Sequence, residues 1–318
     1  MPSSVWLTGC YTFWKDGHYG QGVLVGVVDS GIDHTHPVLQ GRVIKRRDYT
    51  NESDVSSSEY NGHGTHVAST IGALPGPEPE DGLVGVAPGV PFCDYRVFPR
   101  KGGASNSVIA QAVRDAVTDG CHVINLSLGG PVPNSDLEVA IKEARAQGVS
   151  VICAGGNMGM GSTPIAGLAE DEVSYPAYYP GTLAVACVDL NLSSGDIDFV
   201  SFSNTNGLID VAADGYRLVG AWPGKQYVTI SGTSMACPCV AGMAALLYGR
   251  IAERSGPRVA RSIDLHAVLK AEAVDVFDES GERNNIEGYG LCTLFSEVPK
   301  LVDGKWVLPT LAQGAPAL

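Results

Sequence analysis

Three side chains in this sequence have the types and neighbours that nucleophilic catalysis requires. Ser234 lies in SGTSMACPCVAG, residues 231–242, between a glycine turn and a run of small apolar residues. A serine hydroxyl is a weak nucleophile at neutral pH and needs a base, a carboxylate to orient that base, and a donor for the oxyanion it creates. His63, in YNGHGTHVAST, could be the base, and Asp29, closing the apolar run that opens VLVGVVDSGID, the carboxylate. Each has a plainer reading on its own: Ser234 as a helix N-cap, Asp29 as a turn cap, His63 as a structural residue beside glycine. Their occurrence together, in contexts that place all of them at one sheet edge, favours chemistry over a set of coincident caps. The chain order Asp, His, Ser is one of three in which this triad geometry is known.

The elements that must position these residues are legible as apolar runs. Val23–Val28, Val90–Phe98, His122–Leu128, Val149–Ala154 and Leu183–Leu190 are short, rich in Val and Ile and nearly continuous, as buried parallel strands are. Between them, SNSVIAQAVRDAVTDG places Val108, Ile109, Ala112, Val113, Ala116 and Val117 on one helical face. SDLEVAIKEARAQG reads as a second helix opened by a capping box between Ser135 and Glu138. Strand alternating with helix predicts an α/β fold of three layers, a mainly parallel sheet with helices on both faces. In such sheets active residues gather beyond the carboxyl ends of the strands, where Asp29, Ser127–Gly130 and Asn157 fall.

Composition narrows the partners. The 318 residues carry a formal charge of -13, and the 21 Lys and Arg form no long basic block, which argues against nucleic acid or an anionic membrane surface. No unbroken apolar run reaches the roughly 20 residues of a membrane span, and the amino terminus lacks a basic-then-apolar signal pattern. Of eight cysteines, Cys93, Cys121, Cys153, Cys187 and Cys292 sit in or beside apolar runs, and no C-x-x-C pair is present to hold zinc. Cys237 and Cys239, two apart on one helix, point about 200° apart and cannot easily pair. Reduced thiols and a cytoplasmic location are expected, a secreted mature fragment being the alternative. LPGPEPEDG, residues 74–82, reads as an exposed excursion, and periodicity fades after Leu308. The expected organisation is one domain over 1–300 and a docked segment with a loose tail over 301–318.

With these motifs in hand, the chain resembles the subtilisin-like serine proteases. VVDSGID, NGHGTHVA and SGTSMACPCVAG resemble that family's Asp, His and Ser motifs, VICAGGNMG its oxyanion-asparagine segment and INLSLGG its substrate-pairing strand, over roughly Trp14 to Leu294. The resemblance implies a serine endopeptidase acting on polypeptides through an acyl-enzyme, with Asp29, His63 and Ser234 as triad and Asn157 in the oxyanion hole. It further implies that Ser127, Leu128 and Gly129 on one side, and Lys101, Gly102 and Gly103 on the other, pair with an extended substrate. Ala154, Gly155 and Gly156 would line the primary pocket, with Ser174 near its base and Met158 at its rim, which favours bulky apolar side chains before the cut.

Several positions depart from the family pattern. Cys237 stands where Ser, Thr or Ala is usual and Cys239 where His is usual; both are expected to pack as core residues. No cofactor is required for the chemistry, and structural calcium is left open. Val38 replaces an Asp of the family's tight site, leaving Glu78, Glu80 or Asp81 as substitutes, while a weaker site would use carbonyls of Ala177, Tyr179 and Thr182 with Asp210, the usual nearby Glu being Leu208. Asp29 comes so early that no inhibitory folding prodomain is expected before it, a trait shared with the intracellular subtilisins, whose frequent dimerisation makes a homodimer an option. Two rivals stand beside a broad, apolar-leaning protease: a dedicated maturation protease for one peptide precursor, and an inactive homologue that binds peptides.

Overall fold

A computed structural model describes residues 8–52, 55–75, 83–159, 174–191, 196–277 and 283–294, together with two short strands near the carboxyl terminus. The central sheet is built from β1 (Val25–Asp29), β2 (Val43–Asp48), β3 (Phe92–Arg96), β4 (Val123–Leu126), β5 (Ser150–Ala154), β6 (Leu183–Asn191) and β7 (Asp196–Phe199), in the order β2-β3-β1-β4-β5-β6-β7. An eighth strand, β8 (Val211–Asp214), also pairs with β6. All the pairings are parallel except β6 with β7. All five residues of β1, β3 and β5 are buried; β1 and β5 accordingly read as nearly continuous apolar runs, whereas β3 buries Asp94 and Arg96.

Side-chain alternation along the strands feeds two cores. Val25 and Val27 of β1, Val123, Ile152 and Val185 face one side; Val28, Ile124, Leu126, Val151 and Ala184 face the other. The first side is covered by α2 (His63–Gly72) and the long α5 (Thr233–Ser255). The second is covered by α3 (Asn106–Thr118) and α4 (Ser135–Ala146). A short α1 (Cys10–Lys15) precedes β1, and α6 (Pro257–Ser262) and α7 (Leu265–Ala271) follow α5. The hairpin β9 (Leu218–Trp222) and β10 (Gln226–Ile230) lies between β8 and α5, and β11 (Lys300–Val302) pairs antiparallel with β12 (Lys305–Val307).

The three-layer α/β expectation is met, with one local correction. The capping box expected at Ser135 and Glu138 does not form: Asn134 is the N-cap of α4, its Oδ1 accepting from Leu137 N at 2.9 Å. An Asx side chain reaches the orphan N–H groups directly, so the cap lies one residue earlier. Although no unbroken apolar run is as long as a membrane span, α5 has the length and mean hydropathy of one. Its apolar window is 72% buried inside the protein, however, as the central core helix. Most of segment 74–82, including Glu78, Glu80 and Asp81, and most of the tail from 301 fall outside the described residues.

Candidate active site

Asp29 is the last residue of β1 and is 1% exposed. Its carboxylate is kept in place by the backbone N–H of Ser30, 2.6 Å from Oδ1. The close approach of α2 permits this: a Cβ on Gly64 would lie 2.6 Å from the carbonyl of Gly31 and 3.1 Å from Asp29 Oδ1, so only glycine lets the helix start this near the strand end. Ser30 Oγ clamps the junction, accepting from Gly64 N at 2.9 Å and donating to Asn61 O at 2.8 Å.

His63 is the first residue of α2, and its Nδ1 lies 2.9 and 3.0 Å from the two oxygens of Asp29. This fixes Nδ1 as the donor and leaves Nε2 as the basic nitrogen toward the cleft, with the side chain 32% exposed. Desolvation acts to lower the ring's pKa. The charge of Asp29 and the hydrogen bond to it together outweigh that effect and hold the imidazole above its ordinary 6.5.

Ser234 is the second residue of α5, one position inside a helix whose N-cap, Gly232, makes no side-chain cap bond. The N-cap reading of Ser234 is therefore wrong. Its Oγ donates to the carbonyl of Ser127 at 3.2 Å, and Ser127 Oγ donates in return to the carbonyl of Ser234 at 2.8 Å. Asn157, just beyond β5, accepts at Oδ1 from the N–H and hydroxyl of Thr233, at 2.9 and 3.0 Å. With Oδ1 so engaged, Nδ2 is left for the cleft: a Cβ on Gly232 would lie 3.5 Å from Asn157 Nδ2 and 3.7 Å from Ser234 N. Asn157 Nδ2 and Ser234 N thus lie close to one another at the amino end of a 23-residue helix.

The segments named for the primary pocket are held by supports that sequence reasoning missed. Ala154 and Gly155 are buried, Ser174 is 8% exposed and Met158 is 53% exposed. Gly156 has φ 109°, and a Cβ there would meet the Asn204 amide; a Cβ on Gly129 would meet Ser174 Oγ. Asn204 was not anticipated: its Nδ2 donates to Gly155 O at 3.0 Å and its Oδ1 accepts from Met158 N at 2.7 Å, holding the loop that carries Asn157. Thr233, also missed, links that loop to the nucleophile's helix by accepting from Gly156 N at 3.1 Å. Gly130 and Tyr175 exchange two backbone hydrogen bonds, of 2.9 and 2.8 Å, joining the Ser127–Gly129 segment to the pocket base. Leu128 is buried, whereas Lys101 to Gly103 form an exposed turn before α3, with φ 104° at Gly102.

The residues named for a weak calcium site do not fit one. Asp210 Oδ1 is 2.6 Å from the ammonium of Lys270, and its Oδ2 accepts from Ala184 N at 2.9 Å. The carbonyls of Ala177 and Tyr179 both accept from Thr182 Oγ1 at 2.9 Å. Calcium needs six to eight oxygens and net negative charge, and here the one carboxylate is already neutralised by a cation of the chain itself. At the tight site's position Val38 is buried apolar core, and among the described residues no cluster of three or more His, Cys, Asp or Glu could hold a metal.

Comparison with known proteins agrees with this geometry. The Subtilase family (Peptidase_S8) profile matches residues 20–290. The chain is 35% identical to an intracellular serine protease of Paenibacillus polymyxa, over 98% of this chain and 91% of that one. It is 40% identical to subtilisin Savinase of Lederbergia lenta, over 73% of this chain and 78% of that one. Among solved structures, the prenylagaramide maturation protease PagA superposes with a TM-score of 0.73 at 26% identity, covering 90% of this chain and 96% of that one. The chain belongs to the subtilase family of serine endopeptidases.

Proposed function

We propose that Asp29, His63 and Ser234 are the catalytic triad and that Asn157 Nδ2 and the Ser234 N–H form the oxyanion hole. The observation that carries this reading is the pairing of His63 Nδ1 with Asp29, which leaves Nε2 as the free basic nitrogen of the ring. In the free enzyme the Ser234 hydroxyl rests on Ser127 O. Rotation about its Cα–Cβ bond turns it toward His63, at the cost of one hydrogen bond worth about 1 kcal/mol. Such catalytic bonds commonly tighten only once substrate is bound.

Ser234 Oγ then bonds to the scissile carbonyl carbon while its proton passes to His63 Nε2. The carbonyl oxygen becomes an oxyanion held by Asn157 Nδ2 and Ser234 N, and Asp29 stabilises the imidazolium. His63 returns the proton to the leaving amine as the C–N bond breaks, leaving an acyl-Ser234 ester. Water, deprotonated by the same imidazole, hydrolyses that ester and restores the hydroxyl.

The buried apolar walls at Ala154 and Gly155, and the exposed Met158 at the rim, support a preference for bulky apolar residues before the cut. Similarity to proteins named intracellular proteases, in Paenibacillus polymyxa and Bacillus subtilis (strain 168), supports a cytoplasmic location. A second reading, a maturation protease with one precursor as substrate, is favoured by the superposition on PagA. Digestion of denatured casein with mass-spectrometric mapping separates the two. Many cuts after apolar residues support the broad protease; no cuts by an enzyme that still reacts with a fluorophosphonate support the narrow one.

A further inference from the structure

Pro238 lies inside α5 and has no N–H, so the carbonyl of Ser234, four residues earlier, is denied its helical donor. Ser127 Oγ supplies a replacement at 2.8 Å. A hydroxyl has one hydrogen, and this one is spent on Ser234, so Ser127 Oγ can only accept from its other neighbour, Asn125 Nδ2, at 2.9 Å. That orientation of the Asn125 amide turns its Oδ1 toward Cys237, whose Sγ lies 3.2 Å away and donates to it. The result is a chain with one direction: thiol to amide, amide to hydroxyl, hydroxyl to the carbonyl of the nucleophile. Asn125 and Cys237 are 0% exposed and Ser127 3%, so no water stands in for a missing member. Burial also pushes the Cys237 thiol well above its ordinary range, keeping its proton on sulfur.

We propose that Cys237 is a positioning residue for catalysis, its thiol fixing the Asn125 amide and through it the Ser127 hydroxyl that holds the Ser234 peptide in place of the N–H removed by Pro238. The inference rests on Ser234 being the nucleophile. Ser127 matters on both sides, because its own carbonyl is the resting acceptor of Ser234 Oγ. Removing the thiol proton leaves a buried amide oxygen without its donor, lets the amide turn over, and loosens the residue that supplies both the nucleophile and an oxyanion N–H. Serine, a shorter donor, can restore the direction of the chain.

The test compares kcat, KM, Tm and fluorophosphonate labelling rate for wild type, Cys237→Ala, Cys237→Ser, Ser127→Ala and the Ser127→Ala/Cys237→Ala double variant. Cys237→Ala is expected to lower kcat and the labelling rate about 3- to 10-fold, the worth of one net hydrogen bond, with KM within about 2-fold. Cys237→Ser is expected to recover kcat to within about 2-fold of wild type, and Cys237→Ala to add nothing further once Ser127 is alanine. Wild-type kcat in Cys237→Ala, no recovery with serine, or additive losses in the double variant would overturn the proposal. Ser127→Ala, which leaves the thiol's packing untouched, carries the test if Cys237→Ala does not fold: its kcat must fall by the same factor. A wild type that fails to label at Ser234 defeats the nucleophile assignment instead, so the two failures are distinguishable.

Discussion

Replacing Lys270 with methionine tests whether the chain's own ammonium does the work of a structural cation. The side chains of Lys270 and Asp210 are 29% and 14% exposed and 2.6 Å apart. Such a pair lies between exposed ion pairs, worth about 0–1 kcal/mol, and buried ones, whose disruption costs about 3–5 kcal/mol. Asp210 Oδ2 keeps its bond from Ala184 N, so the carboxylate is not wholly orphaned and a loss of about 1–3 kcal/mol is expected. Unfolding entropy of about 2.1 cal/mol/K per residue gives roughly 0.7 kcal/mol/K for the 318 residues, hence a fall in Tm of about 1.5–4.5 °C. Differential scanning calorimetry on a Ser234→Ala background, which prevents self-digestion, measures it. In a double-mutant cycle with Asp210→Asn, the cost of losing Lys270 should largely vanish. Any stabilisation by added calcium should be the same size with and without the Asp210→Asn substitution. An unchanged Tm in Lys270→Met, or a calcium response that disappears with Asp210→Asn, would refute the reasoning.

Other expectations follow from the same geometry. Asn157→Ala should lower kcat by about 10²–10³ with little change in KM, as loss of the corresponding amide does in subtilisin, and steady-state kinetics on a peptide substrate will show whether it does. Because Asp29 raises the His63 pKa above 6.5 and catalysis needs the neutral ring, kcat/KM should climb with pH through a midpoint above 6.5. In Asp29→Asn only desolvation remains, so the ring's NMR titration midpoint should move to 6.5 or below. Asp94, buried on β3, has its pKa pushed up to about 7, chiefly by desolvation with a contribution from Asp29, against the N–H of Ile32 and Arg46. The fold therefore favours its protonated form, a contribution present below about pH 4 and lost as pH rises through about 7. Asp94→Asn should flatten that decline, so its Tm relative to wild type should be higher at pH 8 than at pH 5.

What could be read from the sequence and what could not divide along physical lines. Asp29 and Asn157 could be singled out because each is a polar residue closing an apolar run, and His63 and Ser234 because each stands at a helix start just after a glycine. The strand runs were legible where burial on both faces leaves only one polar residue, at the end of β1 and the start of β5. The supports were not. Asn204 bonds to backbone atoms of Gly155 and Met158, which no spacing announces, and Lys270 meets Asp210 across 60 positions of chain. Thr233 could have been found, since a hydroxyl beside the nucleophile at a helix start has few other uses. The cap of α4 was misplaced because SDLE matched a capping box and Asn134, one residue earlier, was the stronger cap.

The central claim is that Ser234 is an activated nucleophile, and covalent labelling with a fluorophosphonate followed by peptide mapping tests it most directly. A single adduct on Ser234, absent in Ser234→Ala and slowed by about 10²-fold or more in His63→Ala, is the expected result. Labelling at another residue, or casein digestion retained by pure Ser234→Ala protein, would contradict the account.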